Sequence, residues 1–138
     1  MSISGTHAII AFHGSAETKA RYLARVKAHR AADNLIRGGR KGWDGHRGCA
    51  VGCTLEQYSH DAYETELGIP LELAQLEDAI FEGLPLADAM EFPAQFLEAI
   101  TPGADLSLVW NRFAVWLLSL IHISEPTRLR RISYAVFC

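Results

Sequence analysis

Residues 54–85 read TLEQYSHDAYETELGIPLELAQLEDAIFEGLP, and this stretch settles the fold class. Leu71 to Glu82 carries Leu73, Leu76, Ala79 and Ile80 at three- and four-residue spacing, which predicts a helix with an apolar stripe. Gly68 and Pro70 stand before it, and Gly83 and Pro85 close it. Glycine just past a helix with proline beyond is the usual stop. Thr54 and Gln57 have the form of a capping box, so a second helix is expected over Thr54 to Leu67.

Working outward, Ala16 to Arg37 lacks glycine and proline and is rich in Ala, Leu, Lys and Arg, which predicts the first helix. Ser15 is placed to cap it, Glu17 suits its first turn, and Gly38 and Gly39 end it. Beyond Pro85, Leu86 to Met90 is expected to add one turn. Pro93 then fits the first position of a fourth helix ending at Ile100. Thr101, Pro102 and Gly103 break the chain, and a fifth helix starts at Ala104 or Asp105. Twelve of the sixteen residues from Leu106 to Ile121 are apolar. The run is shorter than the roughly 20 residues a bilayer needs, and Asn111 and Arg112 interrupt it, so a buried core helix is expected and no membrane span. His7 to Phe12 is a short apolar stretch that suits a brief strand, a core-packing arm or a disordered start. The expected fold is all-α, an irregular bundle of about five helices forming a single domain over residues 1–118, truncated at its C-terminus.

The chain has 138 residues, 49% hydrophobic and 21% charged, with 13 basic and 16 acidic residues for a net charge of −3. A chain of this size buries enough surface to fold without a disulfide or a metal. The acidic balance disfavours a nucleic-acid partner. There is no basic segment followed by a long apolar run at the start, hence no signal peptide. Three cysteines, two of them four apart, do not form a secreted disulfide framework, and a cytoplasmic location is expected.

The last twenty residues change character. SLIHISEPTRLRRISYAVFC (119–138) contains Pro126 and three arginines, Arg128, Arg130 and Arg131, after a stretch where acid dominates. The string looks like the translated sequencing-adapter artefact that recurs at the ends of predicted proteins from metagenomic assemblies. Residues 119–138 are therefore expected to be a non-native tail. Setting them aside removes three basic residues and one acidic residue, which leaves 10 basic and 15 acidic residues, or −5.

Chemistry concentrates in His46-Arg47-Gly48-Cys49-Ala50-Val51-Gly52-Cys53 and in His60 beyond it. Thiolate and imidazole are the ligands zinc prefers, so His46, Cys49, Cys53 and His60 are candidate metal ligands. The C-x3-C spacing departs from the usual C-x2-C knuckle. Cys49, Cys53 and His60 are also candidate catalytic residues. A thiol at a helix start gains thiolate character, and His46 or His60 could serve as base with Asp61 or Glu64 orienting it. A regulatory Cys49–Cys53 disulfide is a further alternative. The reading favoured here is a packing hub: free cysteine is a small, buried hydrophobe, and Gly-Cys-Ala-Val-Gly-Cys suits a close helix-to-helix or chain-to-chain approach. The glycine-rich segment GGRKGWDGHRG (38–48) lacks the spacing of a phosphate loop and reads as a connector, with Trp43 expected to pack onto the core. The acidic residues Glu64, Glu66, Glu72, Glu77, Asp78 and Glu82 read as a solvated face. His29 reads as a partly buried structural histidine.

The stretches AHRAAD (28–33), GCAVGCT (48–54), AYETELGIP (62–70), LEDAIFEGLP (76–85) and GADLSLVW (103–110) resemble a family of small bacterial proteins of uncharacterised function. That resemblance implies a bacterial, cytoplasmic source and assigns no catalytic residue. The expected function is a non-enzymatic helical domain or interaction module with no cofactor, with a protein partner or self-association. The alternative is a small Cys/His enzyme or zinc protein centred on Cys49 and Cys53.

Overall fold

A computed structural model describes residues 8–38 and 42–121. The predicted tail falls on residues 119–138, and positions 122–138, with the three arginines and Cys138, lie outside the described residues. The chain divides into two compact units, Met1–Ser107 and Leu108–Cys138.

The first unit is helical, as the stop signals in residues 54–85 predict. Its elements are α1 (Ala16–Ala31), α2 (Ala50–Leu55), α3 (His60–Ala62) running into a π-helical segment (Tyr63–Leu67), α4 (Leu71–Gly83) and α5 (Leu86–Ala99). Helix α1 packs on α2 and α5, and α4 packs on the same two, so four helices close a ring. Among the described residues there is no strand, only three isolated bridges. No helix among them is long and apolar enough to cross a membrane.

Helix α1 starts where expected, with Ser15 Oγ accepting from the Thr18 amide at 3.1 Å. It ends six residues early. Asp33 turns left-handed at φ 57°, a conformation that Asp and Asn tolerate better than most residues. The chain beyond it is extended and pairs with the far side of the glycine-rich loop: Ile36 N–H donates to the Gly48 carbonyl, and Gly48 N–H donates to Asn34. Residues 42–48 of that loop turn back on themselves, with Trp43 bridged to Gly48 and the Asp44 N–H donating to the Arg47 carbonyl. Asp44 Oδ1 takes the His46 and Arg47 amides, and these two bonds hold its carboxyl below the usual carboxylate range. Trp43 is half-buried against the core and edge-on to His29, at 5.4 Å between ring centres.

The helix predicted from Thr54 to Leu67 is two elements. Helix α2 begins at Ala50, and Glu56 ends it at φ 56°. Thr54 is not a cap. It is buried inside α2 and donates to the Ala50 carbonyl at 2.7 Å, while Gln57 reaches Glu66 instead. Ser59 caps the second piece, with its Oγ accepting from Ala62. Gly68 ends the π-helical segment at φ 65°, and a side chain there would meet the Ile10 carbonyl.

The predicted break at Pro93 does not occur, and α5 is continuous through it. Proline's fixed φ is helical and costs one backbone bond. Ala89, Pro93 and Leu97 recur at four-residue spacing as a fully buried stripe, which outweighs that loss. The N-terminal stretch is a core-packing arm. Phe12 is fully buried, Ala11 exchanges backbone hydrogen bonds with Gly103 and Ala104, and the Ile9 amide donates to Ser107 Oγ at 2.8 Å.

The second unit contributes α6 (Val109–Ile121), which begins later than the expected Ala104 or Asp105. Trp110, Phe113 and Trp116 stack along it with ring centres 5.8 and 5.9 Å apart.

Candidate functional site

The Cys-rich segment is shaped by two glycines. Gly48 and Gly52 both lie against the carbonyl oxygen of Gly42, and a methyl group on either would overlap that oxygen. Cys49 N–H donates to the same carbonyl at 3.0 Å. Of the two close approaches expected from the small residues, helix to helix or chain to chain, the structure has the second, made by the loop at Gly42.

Cys49 is the N-cap of α2. Its Sγ accepts from the Gly52 amide at 3.5 Å. Cys53 is fully buried among Leu35, Ala50, Phe81 and Ala89. Its thiol donates to the Gly48 carbonyl at 3.4 Å and is 3.5 Å from the Asn34 carbonyl. The expectation that Cys53 precedes a helix start is corrected, because α2 begins at Ala50 and Cys53 lies inside it.

Both thiols are held as thiols. Burial pushes Cys49 up to about 12, and the neighbouring Asp78 carboxylate adds to the effect, against the weaker pull of the Gly52 amide. Burial pushes Cys53 up to about 12 as well. The helix-start effect favours thiolate in principle. Here α2 has only six residues, and loss of water outweighs it.

His60 is the first residue of α3, and its Nε2 lies 2.8 Å from Asp78 Oδ2. Asp78, not the expected Asp61 or Glu64, orients this imidazole. The other Asp78 oxygen accepts from the Val51 amide at 3.3 Å, and the Cys49 thiol lies beside it. The Tyr58 ring stands edge-on to His60 at 5.0 Å. One carboxylate on α4 thus gathers α2, α3 and a thiol at one place. The order of groups is thiol, carboxylate, imidazole. A carboxylate beside a thiol raises its pKa, whereas nucleophilic activation needs an adjacent base or positive charge.

His46 is exposed in the loop, with its backbone bound to Asp44. Among the described residues no group of three or more His, Cys, Asp or Glu is placed to hold a metal ion.

Two acidic residues leave the solvated face assigned to them. Asp78 is mostly buried, and Glu77 is fully buried. The buried stripe of α4 is Leu73, Ala74, Glu77 and Phe81, with Ala79 exposed, so the helix is turned relative to the expected Leu73-Leu76-Ala79-Ile80 stripe. Tyr63 O–H donates to Glu77 Oε1 at 2.7 Å. Position supplied a signal for this: Glu77 is four residues from both Leu73 and Phe81.

His29 is the structural histidine expected. The Asn34 side-chain amide lies 3.0 Å from its Nδ1, and its Nε2 is 2.9 Å from Glu56 Oε2.

Comparison with protein-family models, with curated proteins and with solved structures finds no match.

Proposed function

We propose that this chain is a non-enzymatic helical module that works by binding a protein partner or a second copy of itself, with Cys49 and Cys53 as packing residues. The observation that carries this reading is the state of the thiols. One caps α2, the other donates to backbone carbonyls, and burial keeps both protonated. The binding part rests on α6. Up to position 118 its polar residues are Asn111 and Arg112, about 100° apart, which leaves apolar side chains around the rest of the helix. Val115, Trp116 and Leu118 are exposed. A helix apolar on most sides needs cover. The cysteine usage and the family resemblance support a bacterial cytoplasm as its setting.

The rival reading, a small Cys/His enzyme or zinc protein, draws on the convergence of Cys49, Asp78 and His60. Thiol labelling of the native chain separates the two. Labelling of Cys49 and Cys53 is expected to be slow at neutral pH, unchanged by a chelator, and fast only after denaturation. Fast native labelling, or labelling accelerated by the chelator, overturns the packing role. Sedimentation over a range of concentrations then reads self-association, which Trp116→Ser is expected to weaken. A strictly monomeric chain would rule out the second copy as occupant.

A further inference from the structure

Glu77 is fully buried, and among the described residues its Oε2 has no hydrogen-bond partner. Its one bond comes from Tyr63, the residue that opens the π-helical segment. The Tyr63 carbonyl in turn accepts from Ile69 N–H at 3.3 Å, and Gly68 N–H donates to Glu64 at 3.1 Å. Among the described residues the Tyr63–Glu77 bond is the side-chain hydrogen bond that ties the wide turn to α4, while Glu66 is held by Tyr22 and Gln57 on the other side. π-Helical turns are rare and are found mostly as single turns, often at functional sites. We propose that Glu77 is a proton-controlled latch: neutral, it holds the Tyr63–Leu67 segment on α4, and loss of its proton to solvent releases that segment.

The surroundings favour the neutral form. The π-helical segment presents Tyr63, whose own hydroxyl burial pushes well up. Helix α2 presents Thr54, uncharged, with its proton given to Ala50, and the protonated thiols Cys49 and Cys53. Helix α3 presents His60, held by Asp78, and α4 itself presents Asp78, whose negative charge opposes a second one on Glu77. On α5, Asp88, Glu91 and Glu98 are exposed. No ion pair to Glu77 occurs among the described residues. An unpaired buried carboxylate is far costlier than an unpaired buried carboxylic acid. Burial therefore pushes Glu77 well above the ordinary carboxylate value; the Tyr63 bond pulls it part of the way back, and the Asp78 charge adds a smaller push upward.

The sign follows from linkage. The unfolded chain loses this proton near 4.5, while the folded chain keeps it to higher pH. Between those two values the folded state holds one proton more, so stability is full below the lower value and falls as pH rises toward the upper one.

The test uses the full chain. Urea unfolding from pH 4 upward is expected to show the folding constant dropping about tenfold per pH unit in that window, the slope of one proton. Glu77→Gln, which keeps shape and the acceptor for Tyr63, is expected to remove that slope. Amides 63–69 are expected to exchange faster at high pH relative to the rest of the chain in the parent, and not in Glu77→Gln. An unchanged slope in the variant, or exchange in 63–69 that rises only with global unfolding, overturns the latch. If the variant does not fold, isotope-edited infrared of the parent decides. A protonated carboxylic acid band persisting above the ordinary carboxylate range and lost on further raising the pH supports the proposal. Loss of that band at the pH of an ordinary carboxylate overturns it.

Discussion

At position 52 a hydrogen atom faces the Gly42 carbonyl oxygen, and no larger group fits. Gly52→Ala is expected to destabilise the chain by about 1–3 kcal/mol or more, the usual range for overpacking a well-filled site. Gly83→Ala, where a methyl group meets nothing within 4 Å, serves as control and is expected to be neutral or mildly stabilising. Urea unfolding of the pair reads the difference. The small-residue run around Cys49 declares such a contact in its composition, because glycine and alanine spaced this way permit close approach. What the chain approaches is not declared, since Gly42 comes from a loop whose fold depends on Asp44. Glu77 shows the opposite limit. A charged side chain counts as solvent-facing in any polarity pattern, and that assignment rotates the inferred stripe of α4. Only the protonated state makes its burial consistent, and protonation depends on neighbours brought in by folding.

Between elements, the His60–Asp78 pair is the joint. It fastens α3 to α4, and the Val51 amide adds α2. Both side chains are mostly buried, at 20% and 14% exposure, so removing one leaves the other without its partner in a partly dry place. His60→Ala and Asp78→Asn are each expected to cost about 1–3 kcal/mol. A double-mutant cycle in urea is expected to give a clearly non-additive sum; additive effects would show that the two act separately. Helix starts at Ser15 and stops at Gly68 and Gly83 are legible because caps are local chemistry. The errors at Thr54 and Pro93 have one cause. Threonine can cap or back-bond, and proline can open or sit within a helix, and the choice is made by what the element packs against. Thr54 is inside because Gly42 and Asn34 draw the chain into a helix at Ala50.

Over the whole of the first unit, the ring of α1, α2, α4 and α5 is locked by the N-terminal arm. Phe12 carries a strained left-handed backbone, φ 53°, and a fully buried ring. A bulky residue holds that conformation only where packing repays it. Phe12→Ala is expected to cost about 3–5 kcal/mol, the range for emptying a buried aromatic site. The midpoint of urea unfolding reads it, and a shift no larger than that of an exposed substitution such as Leu86→Ala would deny the arm its locking role. The all-α class was legible from periodicity and stops. The arm's partner was not, because residues 103–107 carry no pattern that names residues 9–11.

The pairing of Ile9 with Ser107 has a temporal side. A ribosome releases the chain from its first residue onward, at roughly 5–20 residues per second. The two partners are 98 residues apart. The arm therefore emerges early and its counterpart late, roughly 5–20 seconds behind at that pace. Until residues 103–107 emerge, the chain carries Phe12 without these partners of its neighbours.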